Sequence, residues 1–248
     1  RLQRAQVEPL VTPRTKILVL NSPCNPTGAA LTRTELQGLA ELATERGFYI
    51  LSDETYEALI YGGHQHISIA SLNERAYAQT ILVSSLSKAY AMTGWRVGYT
   101  AGPKDLIKAM DGLQSQETSN PTSIAQRAAV VALTGPQHTV EQMRAEFDRR
   151  RRYIVERLNG MPGVRCLDPQ GAFYVFPNVS ENYGKQYDGK TFRNSTEFTA
   201  FLLEVGRIAV VPGVEFGSDD HVRISYATSM ANIEKGMDRM LQAIKKLE

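Results

Sequence analysis

Four short apolar runs in the first hundred residues constrain the fold of this chain more than any other feature. They lie at residues 17–20, 48–51, 81–83 and 97–99. Continuous apolar runs of this length, without alternation, are typical of strands buried on both faces of a parallel sheet. Between the first two runs, Thr32 and Glu35 form a capping-box sequence, apolar residues then recur at helical spacing, and Gly47 follows as a C-terminal cap. This alternation predicts a doubly wound α/β domain.

The pattern changes near residue 135, after which a long helical stretch begins. Its run of four arginines at residues 149–152 is interpreted as a solvated helix surface rather than a nucleic-acid patch. Candidate strands follow at residues 164–167, 172–176, 208–211 and 222–226, and the polar segment 182–193 is expected to be an exposed loop. We therefore expect a large domain over residues 1–145 and a smaller α+β domain over residues 146–248.

Composition excludes several classes of function. The 248 residues include 28 Lys and Arg against 26 Asp and Glu, a net charge of +2, which favours neither a nucleic acid nor an acidic membrane as partner. No apolar run approaches the roughly 18 residues of a membrane helix, and no signal-peptide pattern opens the chain. Cys24 and Cys166 match no metal or redox spacing, so we expect no metal site and a reduced, cytoplasmic compartment.

Two polar segments directly follow predicted strands, where ligands bind in open α/β sheets. Prolines and a glycine fix the turn at residues 21–28, so that Asn25 can present its amide to a ligand; a proline-rich turn with an Asx hydrogen bond is the alternative. Asp53 ends the second strand, where a carboxylate is costly to bury unless paired, and a protonated ring nitrogen would suit it. Tyr56 could lie beside Asp53 if one turn forms. The alternative is a helix N-cap.

The segment at residues 84–98 is the most informative. A strand runs into a hydroxyl-rich turn that carries Lys88, and Arg96 follows eight residues later. Hydroxyls, lysine and arginine together suit a phosphate with an amine beside it. A lysine in a partly desolvated pocket loses proton affinity, which prepares it for Schiff-base chemistry. A surface lysine in a polar loop is the alternative; a P-loop is excluded because its motif is absent.

Six segments together resemble the class I (fold type I) pyridoxal-phosphate-dependent aminotransferases, and most closely the subgroup of bacterial aspartate aminotransferases. They are NSPCNPTG (21–28), SDETY (52–56), SSLSKAYAMTGWRVGY (84–99), GAFYVF (171–176), VVPGVEFG (210–217) and VRISYA (222–227). Their order and approximate spacing match the family. The resemblance implies a fold type I α/β protein with a mostly parallel large-domain sheet, incomplete here, and a smaller C-terminal α+β domain. It also implies a homodimer.

The resemblance assigns roles around pyridoxal 5′-phosphate (PLP). Lys88 would form a Schiff base with the cofactor and later carry a proton. Asp53 would pair with the protonated pyridine nitrogen and keep the ring an electron sink. Asn25 and Tyr56 would hydrogen-bond the 3-oxygen of the ring.

The phosphate and the substrate have their own implied residues. Ser85, Ser87 and Arg96 would hold the phosphate. Arg223, together with Asn25, would bind the substrate, with the guanidinium of Arg223 on the α-carboxylate as a two-pronged pair. From the residues alone, an ion pair between Arg223 and a neighbouring aspartate stays open.

The implied activity is transfer of an amino group between an amino acid and a 2-oxo acid, with aspartate and 2-oxoglutarate favoured. Two alternatives stay open: another PLP-dependent transaminase or lyase of the same fold, and the PLP-binding domain of a transcription regulator. By comparison with the family, the 248 residues correspond to the carboxyl-terminal three fifths of a longer chain. We therefore expect them alone to hold PLP weakly and to transaminate poorly.

Overall fold

The computed structural model of the protein describes residues 1–248, which divide into two compact units. The first unit comprises Arg1–Cys24 and Ala29–Gln142, and the second comprises Asn25–Gly28 and Met143–Glu248. A four-residue segment of the first half of the sequence therefore belongs to the second unit. None of the helices is both long enough and apolar enough to cross a lipid bilayer.

The first unit is built on a four-stranded sheet in the order β1-β2-β3-β4. The strands are β1 (Ile17–Asn21), β2 (Tyr49–Asp53), β3 (Thr80–Ser85) and β4 (Gly98–Ala101). The first three are parallel and β4 is antiparallel to β3. In the register, Asp53 lies opposite Asn21 on one side and Val83 on the other, and Ser85 lies opposite Gly98. The carboxyl ends of three strands and the start of the fourth therefore meet at one edge.

Six helices surround these strands and belong wholly to the first unit. They are α1 (Arg4–Val7), α2 (Arg33–Arg46), α3 (Glu74–Gln79), α4 (Leu86–Ala89), α5 (Lys104–Glu117) and α6 (Ser123–Thr134). The capping box of α2 is present as predicted: Thr32 Oγ1 accepts from Glu35 N at 3.3 Å, and Glu35 accepts from Thr32 N at 2.7 Å. Gly47 ends the helix in the left-handed region with φ of 69°.

The expectation that the strands are buried on both faces is wrong for β1 and β2, and also for β4, where Tyr99 is 41% exposed. Leu20 and Ile50 are buried in a core that α1, α2 and α3 complete. On the other face of the sheet, Val19 is 65% exposed and Ile17 is 47% exposed. The sequence did not reveal this because both faces of these strands are apolar, so the runs carry no alternation.

The second unit contains a three-stranded antiparallel sheet in the order β5-β9-β8. Its strands are β5 (Tyr174–Val175), β8 (Val211–Pro212) and β9 (Val222–Ser225), and a hairpin pairs β6 (Gln186–Tyr187) with β7 (Lys190–Thr191). The helices are α8 (Ser195–Glu204), α9 (Met230–Ile244) and the larger part of α7 (His138–Asn159). The parallel strands and surrounding helices of the first unit and the mixed second unit are those of an α/β protein.

Three local predictions in the second unit are wrong. Residues 164–167 form no strand, only a bridge between Arg165 and Asn178, and the predicted strand 208–211 contributes only its last residue. The segment 182–193 is exposed in part, including residues 188–190 at its turn, but it is not a loop throughout, since it contains the β6–β7 hairpin and buries Asn182 and Phe192. Tight turns let this short hairpin form despite its polar sequence.

The arginine run on α7 is not uniformly solvated. The side chain of Arg151 is only 6% exposed and forms ion pairs with Asp148 and Asp168. Four consecutive helical residues point in four directions around the axis, so one of them faces the core. Arg151 continues the buried stripe of Phe147, Ile154 and Leu158, and its two aspartates compensate its charge.

Candidate active site

Asp53 stands at the edge of the first-unit sheet where the strand ends meet. Its carboxylate Oδ1 accepts from Thr55 N at 3.1 Å. Its carbonyl accepts from Ser22 N at 3.1 Å and from Asn21 Nδ2 at 3.3 Å. No helix follows, because the next residues form turns, so the side chain closes an Asx-type turn and does not cap a helix. The backbone on both sides of this carboxylate is thus fixed by hydrogen bonds.

Lys88 and Tyr56 come together in the first unit. Lys88 lies on α4, one turn after β3 ends, and is half-buried. Its Nζ lies 6.0 Å from the centroid of the Tyr56 ring, and Tyr56 is buried. The alternative of a solvated surface lysine therefore does not describe Lys88.

The two serines and Arg96 lie around the same strand edge. Ser85 is the last residue of β3, and Ser87 lies within α4. Arg96 precedes β4 by two residues, and its Nη1 donates to Thr93 O at 2.9 Å. Arg96 has a positive φ of 53°, a conformation that non-glycine residues seldom adopt outside strained or functional sites. Gly98 lets β4 approach β3 closely, since a Cβ there would lie 2.8 Å from Ser84 O.

Asn25 and Arg223 come together in the second unit. Arg223 lies on β9, and its Nη1 donates to Asn25 Oδ1 at 2.9 Å. The guanidinium carbon lies 4.6 Å from the ring centroid of Tyr174 and 4.9 Å from that of Phe216. The Nε atom is buried and has no hydrogen-bond partner. The guanidinium is thus flanked by two aromatic rings, with one donor left unsatisfied.

The predicted alternative, an ion pair between Arg223 and a neighbouring aspartate, is not found. Asp219 instead accepts from the backbone and hydroxyl of Ser195, at 2.9 and 2.6 Å. A partly buried cation without a carboxylate is costly unless it meets an anion. The arrangement suits a planar carboxylate, which could engage the donors of the guanidinium as a fork. The flanking residues Tyr174 and Phe216 have no role in the sequence analysis, although both fall within segments that carry the resemblance.

Gly28 fixes the turn that carries Asn25. Gly28 O accepts from Gln170 N at 2.8 Å and from Gly171 N at 2.9 Å. Its φ is +67°, and a Cβ there would lie 2.3 Å from Pro169 Cβ. Only glycine combines this left-handed backbone with such a close approach. The turn is therefore anchored to residues 169–171 of the same unit.

We expect Gly28→Ala to destabilise the second unit strongly. The left-handed conformation would cost about 1–2 kcal/mol, and the overlap with Pro169 about 1–3 kcal/mol more. Urea denaturation measures the free energy of unfolding. Gly184→Ala is the matched control, because Gly184 also has a positive φ but a Cβ there meets nothing within 4 Å. Equal losses of stability in the two variants would show that the packing of Gly28 is unimportant.

Comparisons with known proteins point to one family. The family model "Aminotransferase class I and II" matches residues 2–240. The chain is 50% identical over 235 residues to the aspartate aminotransferase of Geobacillus stearothermophilus, covering 95% of this chain and 59% of that protein. It is 46% identical over 231 residues to the aspartate/prephenate aminotransferase of Cereibacter sphaeroides, covering 92% of this chain and 58% of that protein.

The fold has a close counterpart among solved structures. The crystal structure of the aspartate aminotransferase from Rhizobium meliloti superposes with a TM-score of 0.97 at 43% identity, covering 100% of this chain and 62% of that one. The chain thus spans about three fifths of the length of the curated relatives it matches. The resemblance inferred from the six segments is confirmed, and the chain belongs to the aminotransferase class I and II family.

Proposed function

We propose that the protein is a PLP-dependent aminotransferase that moves an amino group between an amino acid and a 2-oxo acid. The observation that carries the proposal is Arg223, a guanidinium with a buried and unsatisfied Nε and no carboxylate partner. A substrate α-carboxylate would supply the carboxylate that this guanidinium lacks. The half-buried amine of Lys88 beside Tyr56 supports the same conclusion from the first unit.

The donor set of the first unit fits PLP group by group. PLP presents an aldehyde, a ring nitrogen, a 3-oxygen and a phosphate. The amine of Lys88 suits the aldehyde, the carboxylate of Asp53 suits the protonated ring nitrogen, and the phenol of Tyr56 suits the 3-oxygen. The hydroxyls of Ser85 and Ser87 and the guanidinium of Arg96 suit the phosphate. In the second unit, Asn25 accepts from Arg223 through Oδ1, and its amide N–H would serve the 3-oxygen.

The residues then have distinct tasks. When bound, PLP supplies the electron sink that makes the α-proton of an amino acid acidic. Asp53 holds a proton at the ring nitrogen, where the Asx-type turn fixes its carboxylate. The amine of Lys88 would take the α-proton as a general base and then, as a general acid, return it to the C4′ carbon of the cofactor. Arg223 would hold the α-carboxylate of the amino acid through the fork of its guanidinium.

We propose aspartate and 2-oxoglutarate as the preferred pair. Arg223 binds a carboxylate common to all amino acids and does not select among them, so this preference is supported by the names of the relatives. One of them is named for aspartate and prephenate, which makes a second acceptor worth testing.

We propose a homodimer, by analogy with the family, and a cytoplasmic location. Ile124 and Val131 on α6 are apolar and exposed in the single chain, as expected of a surface that a second copy covers. Cys24 and Cys166 are both free thiols, which is usual in a reducing compartment.

A panel of amino donors tests the proposed function. The protein that carries this sequence is loaded with PLP and assayed with aspartate, alanine, phenylalanine and tyrosine against 2-oxoglutarate, and with the same four donors and glutamate against prephenate. We expect the highest kcat/KM with aspartate and 2-oxoglutarate, with oxaloacetate as product. A faster reaction with another donor would replace aspartate but keep the reaction class. A folded, PLP-loaded protein that converts no donor would overturn the proposal.

A further inference from the structure

The carboxylate that directly follows Asp53 is the most completely buried acid in the chain and has no role in the proposed chemistry. Glu54 is 1% exposed. Its Oε2 lies 2.8 Å from His66 Nε2, and its Oε1 accepts from Ser52 Oγ and Ser68 Oγ, each at 2.9 Å. Each carboxylate oxygen thus has a partner, and the sequence analysis anticipated none of these contacts.

These contacts fix the end of β2 from the face opposite Asp53. Side chains alternate along a strand, so Ser52 and Glu54 point to one face of the sheet and Asp53 to the other. Glu54 N also donates to Val83 O at 2.8 Å, which extends the pairing of β2 with β3 by one residue. Asp53 is therefore flanked by two backbone hydrogen bonds, one from Ser22 N to its own carbonyl and one from Glu54 N to Val83 O. The buried carboxylate of Glu54 lies on the opposite face of the sheet.

The same carboxylate closes the loop that carries Tyr56. The chain leaves β2 at Glu54, passes through Tyr56 and returns at His66 and Ser68, both of which bind the Glu54 side chain. Within the loop, Glu57 N donates to Glu54 O at 2.8 Å and Leu59 N to Tyr56 O at 2.9 Å. The side chain of Glu54 thus holds together the two ends of the loop that carries Tyr56.

The electrostatics of this cluster are those of a satisfied network. Burial alone would raise the pKa of Glu54, but the hydrogen bonds from His66, Ser68 and Ser52 outweigh burial and hold its pKa below the ordinary value. Glu57, which faces the same cluster, has its pKa raised by burial. Tyr99 is also close, and burial raises its pKa. The pKa values of the two carboxyls are therefore shifted in opposite directions, and only that of Glu54 is lowered by its hydrogen bonds.

We propose that Glu54 and His66 are positioning residues, which hold Asp53 and Tyr56 in the positions from which they contact the cofactor. Well-packed apolar residues would often stabilise a fold as well as a buried charged cluster does. A fully satisfied polar network, by contrast, specifies one arrangement of the chain. This network lies one residue from Asp53 and two from Tyr56. The inference rests on the proposed function, since it concerns where those two residues stand relative to PLP.

Glu54→Gln tests the proposal, because it keeps the size of the side chain and removes the charge. Glu45→Gln is the matched control, because Glu45 lies on α2 in the same unit and forms an exposed ion pair with Arg4. We expect Glu54→Gln to lower kcat by about 10- to 100-fold, the range that a small misplacement of reacting groups produces. PLP should bind more weakly in an absorbance titration of the apo-protein, and KM for the amino donor should stay within about 3-fold.

Amide hydrogen exchange of the apo-protein gives a readout that needs neither PLP nor turnover. We expect faster exchange at Glu54, Glu57 and Leu59 in Glu54→Gln, and no change there in Glu45→Gln. If Glu54→Gln does not fold, Ser68→Ala replaces it. That variant removes one neutral hydrogen bond to the carboxylate, so we expect kcat to fall by about 2- to 10-fold. PLP binding should weaken and exchange at the same amides should become faster, each by less than in Glu54→Gln.

The outcomes separate this inference from the proposed function. A wild-type protein that neither binds PLP nor transaminates would end the proposed function and this inference with it. A wild-type protein that does both, with Glu54→Gln matching Glu45→Gln in kcat, PLP affinity and exchange, would end the inference alone. A lowered melting temperature with kcat and PLP affinity unchanged would also overturn it, because the network would then serve only stability.

Discussion

Replacing Lys88 by alanine is expected to abolish transamination. Lys88 combines two tasks in the proposed function, covalent attachment of the cofactor and transfer of the α-proton. General acid–base catalysis alone contributes about 10²–10⁴-fold, so with attachment lost as well we expect kcat to fall by at least about 10⁴-fold. Steady-state production of oxaloacetate measures the loss.

The matched control for Lys88→Ala is Lys104→Ala. Lys104 is an exposed lysine of the same unit, at the first position of α5, and its loss should leave kcat within about 2-fold, as for most surface substitutions. Absorbance of bound PLP should change in Lys88→Ala and stay the same in the control. Turnover that survives in Lys88→Ala would show that another group moves the proton.

Replacing Arg223 by methionine should separate activity from stability. A carboxylate held by two charge-assisted hydrogen bonds gains about 1.5–3 kcal/mol from each, so kcat/KM should fall by about 10²–10⁴-fold. The free energy of unfolding should change far less. The lost contacts with Asn25, Tyr174 and Phe216 are offset because the variant no longer buries a guanidinium without a carboxylate.

Arg165→Met controls for the general effect of removing an arginine from the second unit. The Arg165 side chain is exposed and pairs with Glu181 at the surface, so neither kcat/KM nor stability should move appreciably. Arg223→Lys should fall between wild type and Arg223→Met, since it keeps the charge but loses the fork. An Arg223→Met variant with normal kcat/KM for aspartate would show that the carboxylate is bound elsewhere.

The parts of the fold that were predictable from sequence depend on local signals. The capping box of Thr32 and Glu35 and the cap at Gly47 are fixed by chemistry within a few residues, and both are found. The direction of β4 was not predictable, because strand pairing depends on contacts that no local pattern encodes. The burial of Arg151 had a signal, namely its place in the helical stripe of Phe147, Ile154 and Leu158.

In the candidate site, too, the features that local sequence determines were predictable and those that depend on distant contacts were not. Lys88 and Arg96 are close in sequence to a strand end, and their segment alone indicated phosphate and amine chemistry. The contact between Asn25 and Arg223 joins residues 198 positions apart, so only the fold brings them together. The pair of Glu54 and His66 spans a 12-residue separation that matches no motif. Distant contacts of this kind depend on tertiary structure, which spacing rules do not capture.

Borohydride trapping is the most direct test of the central claim, that Lys88 is the residue that holds PLP. The protein is incubated with excess PLP, reduced, digested and analysed by peptide mass spectrometry, which also captures weak binding. We predict the mass of one reduced PLP on the peptide that contains Lys88, at an occupancy well above that of Lys104 and the other exposed lysines. Equal labelling of all lysines, or stoichiometric labelling of a different one, would contradict the account.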